Sequence, residues 1–280
     1  MNIEEILRKE INNLKQNNIE NSTLKAKILL ANILNVKKEY LLIHSEEEVK
    51  QEDKIKYENC IKELIKGKPL QYITNKQEFM GLNFYVDENV LIPQPDTEIL
   101  VEKAIEIAET TQKNKILDMC TGSGCIAISL AKKINNAQIT AVDISNSALN
   151  VANKNAINNN VEKKIKFINS DIFNNIEEKF DIIVSNPPYI ETETINKLEI
   201  EVQNEPHLAL DGGIDGLKFY KTIANNAFKY LNENGYLLLE IGYNQQNSVT
   251  QLLQDIGKYK NIETVKDLGG NYRVVIARKE

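Results

Sequence analysis

From Lys115 onward, short apolar runs alternate with amphipathic helical stretches, and this alternation restricts the fold more than any other feature of the chain. Ile116-Leu117-Asp118-Met119 and Ile139-Thr140-Ala141-Val142 read as strands, as do residues 165–168, 181–185 and 236–241. Helical stretches over 126–134 and 148–157 separate the first three. Buried strands parted by helices make an open, mostly parallel sheet covered on both faces. The last two runs, 262–267 and 272–277, are joined only by Leu268-Gly269-Gly270-Asn271. No crossover helix fits there, so these two strands pair antiparallel. The fold class is α/β.

The preceding residues divide differently. Residues 1–75 read as a small helical bundle that docks a partner or braces its neighbour. Ile3, Ile6, Leu7, Ile11 and Leu14 recur at three- and four-residue steps as one apolar stripe. Ser22 and Thr23 are candidate caps for a second helix through Leu24, Ile28, Ala31 and Leu34, and a later helix carries Tyr57, Ile61, Leu64 and Ile65. Residues 76–95 read as a hairpin linker, with strands over 78–86 and 90–92 around Asp87-Glu88-Asn89. Pro93-Gln94-Pro95-Asp96 then stiffens the chain. Asp96 or Thr97 caps a helix through Ile99, Leu100, Ala104 and Ala108, opening a domain over 96–280.

Composition excludes several classes. The 280 residues carry a net charge of −6, which gives no support to a nucleic-acid binder that needs a basic face. The three cysteines, Cys60, Cys120 and Cys125, form no disulfide framework, and His44 and His207 lie too far from them for a zinc site. No apolar run is long enough to span a membrane. The first residues lack a signal-peptide pattern, so a reduced, cytoplasmic protein is expected, without metal or membrane.

Two motifs carry chemistry. The loop Asp118-Met119-Cys120-Thr121-Gly122-Ser123-Gly124-Cys125 joins the first strand of the sheet to its first helix, where glycines let the backbone approach a ligand. Asp143 closes the next strand, placed to accept both ribose hydroxyls of a nucleoside. Asp171 and Ile172 follow the third strand, Asp171 near an exocyclic amine and Ile172 against an adenine ring. Gly122, Gly124 and Ala127 also satisfy the loose G-x-G-x-x-A pattern of a dinucleotide site. Three features favour S-adenosylmethionine instead: Asp118 placed to reach the cofactor's amino group, the terminal hairpin, and Asn186-Pro187-Pro188-Tyr189 closing the fourth strand. An Asn fixed between a strand end and two prolines is a rigid grip for a planar amine or amide. Glu205, Pro206 and His207 are candidates for a substrate rim, His207 being more readily a surface histidine. Asp211-Gly212-Gly213 reads as a turn.

Together these stretches resemble class I S-adenosylmethionine methyltransferases with an N-P-P-Y active site. More narrowly, the chain is similar to the peptide chain release factor glutamine methyltransferases of the HemK/PrmC type. Pro69-Leu70-Gln71-Tyr72-Ile73, Leu91-Ile92-Pro93-Gln94-Pro95-Asp96-Thr97-Glu98, the loop from Asp118 to Gly124, Ser185 to Ile190, and Glu205-Pro206 through Leu217 carry the likeness. The departures are Gln94 where the family commonly has Arg, Asp96 for Glu, Cys120 for Gly and Asn75 for Gly; Gln94 removes a cation.

The resemblance implies a seven-stranded Rossmann-like sheet with a C-terminal antiparallel hairpin, an N-terminal bundle that helps grip the substrate, and S-adenosylmethionine as methyl donor. It implies as substrate the glutamine of the Gly-Gly-Gln loop of class-1 release factors. The cofactor is then held by Asp118, Cys120, Thr121, Gly122, Ser123, Gly124, Asp143, Asp171, Ile172 and Asn186. The Asn186 side-chain oxygen and the Pro187 carbonyl accept the substrate amide N–H bonds, Pro188 shapes the turn, and Tyr189 packs against the amide plane. A DNA or RNA adenine methyltransferase would use the same clamp, but the acidic balance and the lack of a basic recognition segment weigh against it. A ribosomal-protein glutamine methyltransferase fits the 93–98 stretch less well. A non-catalytic scaffold would not need the loop, Asp143 and Asn186 together.

Overall fold

The computed structural model describes residues 1–280, which divide into two compact units. The first comprises Met1–Lys76 together with Glu199–Asn204, and the second Gln77–Leu198 with Glu205–Glu280. No helix is long and apolar enough to cross a membrane.

The first unit is built from helices Ile3–Gln16, Ser22–Leu34, Lys38–Ile43, Gln51–Ile65 and Leu70–Thr74. The opening helix begins at a capping box: the Asn2 side chain accepts from Glu5 N at 2.9 Å, and the Glu5 carboxylate accepts from Asn2 N at 3.0 Å. Ile3, Ile6, Leu7 and Leu14 of its stripe are buried against Leu29, Leu30, Tyr57, Ile61 and Leu64. Each such side chain contributes about 1.5–3 kcal/mol on burial. The Tyr57 hydroxyl donates to the Ala26 carbonyl at 3.1 Å, satisfying its one polar atom in that core. Ser22 and Thr23 do not cap the second helix: Asn21 is its N-cap in a left-handed conformation, and the Ser22 hydroxyl donates backward to the Ile19 carbonyl.

The second unit opens on a hairpin of β1 (Gln77–Phe79) and β2 (Leu82–Phe84). The turn falls at Met80-Gly81, both at positive φ, rather than at Asp87-Glu88-Asn89. Gly81 supplies the left-handed position a tight hairpin needs, whereas the Asp87 carboxylate accepts from Asn89 N at 3.0 Å in a local side-chain turn, and residues 90–92 form no strand. Phe79 and Phe84 are buried with Leu100, Val101 and Ile126, so this hairpin is part of the second unit's core.

The main sheet contains β3 (Lys115–Met119), β4 (Gln138–Asp143), β5 (Ile165–Asn169), β6 (Phe180–Ser185), β7 (Leu231–Glu240), β8 (Tyr259–Lys266) and β9 (Tyr272–Lys279). Their order is β5-β4-β3-β6-β7-β9-β8. All neighbours are parallel except β7–β9 and β9–β8, where the terminal hairpin inserts its last strand beside β7. Alternation sorts the side chains: Ile116, Ile182, Val184 and Leu238 lie in the core on one face, and Leu117, Met119, Ile183, Leu237 and Leu239 in that on the other. The order reverses at β3, between β4 and β6, and the carboxyl ends there are where ligands bind in sheets of this kind.

Candidate active site

A cavity of about 500 Å³ opens at those carboxyl ends. Among its lining residues are Cys120 and Gly122 after β3, Asp143, Ile144 and Ser145 after β4, Asp171 and Ile172 after β5, and Asn186 and Pro188 after β6. Val90, Leu91, Pro206, Leu208 and Phe219 supply apolar wall.

Asp143 is fixed by two backbone donors, Gly122 N to Oδ2 and Ser145 N to Oδ1, each at 2.9 Å. Each oxygen keeps a second lone pair for a ligand hydroxyl. Burial raises the Asp143 pKa, against the pull of those backbone N–H groups. Ile172 holds φ of 50°, a costly conformation for a β-branched residue. It is held there by Ser170, whose hydroxyl donates to the Ile172 carbonyl at 3.0 Å and accepts from Asn175 N at 3.1 Å. Cys120 also sits at positive φ, 62°, and Asn75 at 52°, a conformation that glycine adopts without steric cost.

The remainder of the glycine loop supports the cavity from behind. Asp118, Thr121, Ser123 and Gly124 do not line it. The Asp118 carboxyl, expected to reach a cofactor, faces inward: Oδ2 accepts from the Thr121 hydroxyl at 2.5 Å and from Ala127 N at 3.1 Å. Its place on β3 explains this, because it alternates with Leu117 and Met119 onto the face covered by the helix Cys125–Lys133. Its other oxygen is buried without a partner, and burial raises its pKa to about 7. Gly124 is required at its position: a Cβ there would come within 3.0 Å of Ala152 Cβ and Ile128 Cδ1.

After β6 the motif splits. Asn186 and Pro188 line the cavity, while Pro187 and Tyr189 do not. The Tyr189 side chain is partly buried against the core that contains Leu239 and Ile241, and burial raises its pKa. The Asn186 amide nitrogen donates to the Thr97 hydroxyl at 3.2 Å, leaving the amide oxygen for the cavity. Thr97 therefore serves the site rather than capping the following helix, where it makes no side-chain cap bond.

Of the expected substrate rim, only Pro206 lines the cavity. Glu205 is buried and its carboxylate accepts from Ile92 N at 2.8 Å; His207 is exposed. Gly212 and Gly216 wrap the backbone of Tyr189: a Cβ on Gly212 would lie 2.7 Å from Tyr189 Cα, and one on Gly216 2.5 Å from its carbonyl oxygen. The Gln245 side chain completes this wrapping, its Nε2 donating to the Tyr189 carbonyl at 3.0 Å. Arg273 bridges Asp96 at 2.9 Å and Asp267 at 3.0 Å. Gln245, Arg273 and Glu240 were not singled out by sequence, and Thr97 only as a helix cap, for they share no motif and meet because β7 lies beside β6 and β9 beside β7.

The donor set fits S-adenosylmethionine. Glu88, Asp143 and Asp171 line the cavity against a single cation, Lys218. That surplus of carboxylates favours a sulfonium and an ammonium, and disfavours the pyrophosphate of a dinucleotide.

This sheet, with its reversed terminal hairpin and its ligand cavity at the switch point, is that of the class I methyltransferases. Residues 95–206 match the family described as Methyltransferase small domain, and residues 5–74 match the PrmC N-terminal domain. A methyltransferase from Pyrococcus furiosus shares the fold with a TM-score of 0.51 at 19% identity, over 72% of this chain and 90% of that one. The release factor glutamine methyltransferase of Fusobacterium nucleatum is 42% identical over 98% of this chain and 78% of its own length. That of Clostridium acetobutylicum is 41% identical over 99% and 98%. The chain belongs to the release factor glutamine methyltransferase family.

Proposed function

We propose that this protein transfers a methyl group from S-adenosylmethionine to the side-chain amide nitrogen of the glutamine in the Gly-Gly-Gln motif of class-1 peptide chain release factors. The observation that carries the reading is that Asn186, its amide oxygen uncommitted, lines the same cavity as Asp143 and the glycine loop. Membership of the family narrows the acceptor to glutamine. In this reading Asp143 holds the ribose hydroxyls, Asp171 and Ile172 flank the adenine, and Cys120 and Gly122 form the floor. Bound S-adenosylmethionine supplies an electrophilic methyl group.

An amide nitrogen is a poor nucleophile because its lone pair is delocalised into the carbonyl. The task of the protein is to hold that nitrogen in line, which is mainly an orientation problem. The Asn186 side-chain oxygen and the Pro187 carbonyl accept the two amide N–H bonds, fixing the nitrogen and favouring the positive charge that develops on it. Pro188 shapes the turn that aims them. The proton then leaves to water. Acting on a translation factor, and with all three cysteines free, the protein works in a cytoplasmic setting. The helical first unit is the surface that helps grip the release factor.

Label transfer tests the reading. Labelled S-adenosylmethionine is supplied with a release factor, its Gln→Ala variant, ribosomal protein and DNA. Label on the intact release factor alone is expected; label on DNA overturns the assignment.

A further inference from the structure

We propose that Glu240 is a positioning residue that sets which way round the Asn186 amide is held, acting through the Thr97 hydroxyl. The inference rests on the reading of Asn186 as the group that receives the substrate amide.

Parallel pairing places Ser185 opposite Leu239, so the next positions on the two strands are Asn186 and Glu240. Alternation puts both on the sheet face that carries Val184 and Leu238. Glu240 is 2% exposed, Thr97 is 2% exposed, and Glu240 Oε2 is buried without a hydrogen-bond partner. The Thr97 and Asn186 side chains stand beside the Glu240 carboxyl and favour its ionised form. A buried acid in this position has a cost that the fold does not need for packing.

The logic lies in donors and acceptors. A threonine hydroxyl both donates and accepts, so the 3.2 Å contact between Asn186 and Thr97 is compatible with either orientation of the amide. An ionised carboxylate only accepts. With Glu240 ionised, the Thr97 hydroxyl donates to it and has only lone pairs left for Asn186. Asn186 must then present its NH₂ group to Thr97 and its oxygen to the cavity. With Glu240 protonated the constraint is lifted: the carboxyl can donate to Thr97, Thr97 can donate to the Asn186 oxygen, and an NH₂ group then faces the substrate amide.

Burial raises the Glu240 pKa to about 7, opposed by the neighbouring Thr97 and Asn186 side chains and the Arg273 charge. The titratable groups facing it are Asp96 before the helix Glu98–Thr111, Arg273 on β9, Tyr189 after β6, Tyr220 on the helix Lys218–Tyr230, and Cys125 at the start of the helix Cys125–Lys133. Ionisation of Glu240 is therefore reached within the working pH range, and turnover rises with it.

The test compares kcat, KM and pH profiles with release factor as substrate. Glu240→Gln is expected to lower kcat about tenfold, keep KM for S-adenosylmethionine within about twofold, and lose the wild-type fall in kcat below about pH 7. Thr97→Ser keeps the relay and near wild-type kcat, while Thr97→Val loses about as much as Glu240→Gln. A Glu240→Gln enzyme with undiminished kcat, or with the pH step intact, overturns the assignment, as does a Thr97→Ser enzyme as impaired as Thr97→Val. Undiminished turnover in Asn186→Ala overturns both this inference and the reading beneath it; undiminished turnover in Glu240→Gln alone overturns only the role of Glu240.

Discussion

Asp118 and Asp143 show how one residue type takes two roles on neighbouring strands. Asp143 faces the cavity with acceptor capacity to spare, and Asp143→Ala is expected to raise the Kd for S-adenosylmethionine about 10- to 100-fold by calorimetry. An unchanged Kd would remove Asp143 from the ribose. Asp118 is buried with its pKa raised to about 7, above the ordinary value of 3.8, so the folded state favours its neutral form. That contribution to stability is complete below about pH 4 and is lost as pH rises through about 7. Asp118→Asn keeps an oxygen for Thr121 and Ala127. It should be more stable than wild type by about 1–3 kcal/mol at pH 8, with the gain gone near pH 4, in denaturant titrations at the two pH values. Cys120 offers a backbone test: at φ of 62°, Cys120→Gly should unfold at the same or a higher temperature than wild type, and Cys120→Val lower by about 1–2 kcal/mol. Asp143, Asp171 and Asn186 were legible as cavity residues in the sequence because each lies at or just beyond the carboxyl end of a strand, where ligands gather. The inward turn of Asp118 was equally implicit in strand alternation, which assigns it to the face opposite Met119. Glu240 and Thr97 were not legible as neighbours, because a polar residue at a strand end and one before a helix look the same in sequence whether they face solvent or another side chain.

At the level of elements, the strands and the terminal antiparallel pairing followed from apolar runs and from the shortness of the 268–271 connection. What escaped was placement. The polar triplet Asp87-Glu88-Asn89 resembles a hairpin turn more strongly than Met80-Gly81 does, yet only the latter pair takes the left-handed backbone and makes the turn. The order of strands was also invisible, since nothing local announces that β9 slips between β7 and β8. Asp211-Gly212-Gly213 reads as a simple turn, yet Gly212, with Gly216, fits closely around the Tyr189 backbone. Gly212→Ala places a methyl group 2.7 Å from the Tyr189 backbone, so the loop must shift. The expected outcome is a loss of about tenfold or more in kcat with the Kd for S-adenosylmethionine nearly unchanged, measured by single-turnover labelling and calorimetry.

For the molecule as a whole, the feature with no sequence signature is the return of Glu199–Asn204 to the helical first unit. Within that unit Lys25 pairs with Glu201 at 2.5 Å, and the Asn204 side chain donates to the Gly67 carbonyl at 2.9 Å. Asn204→Ala should cost the first unit about 1 kcal/mol, seen as faster amide hydrogen exchange in Met1–Lys76 with exchange in the strands of Gln77–Leu198 unaffected. The chain therefore passes from one unit to the other at three points, Lys76, Leu198 and Asn204. A single cut at Lys76 strands a piece of the first body inside the second, so neither half is whole. Modular recombination that cuts the chain once, in the laboratory or over generations, carries neither unit away whole, so the two are inherited as one part.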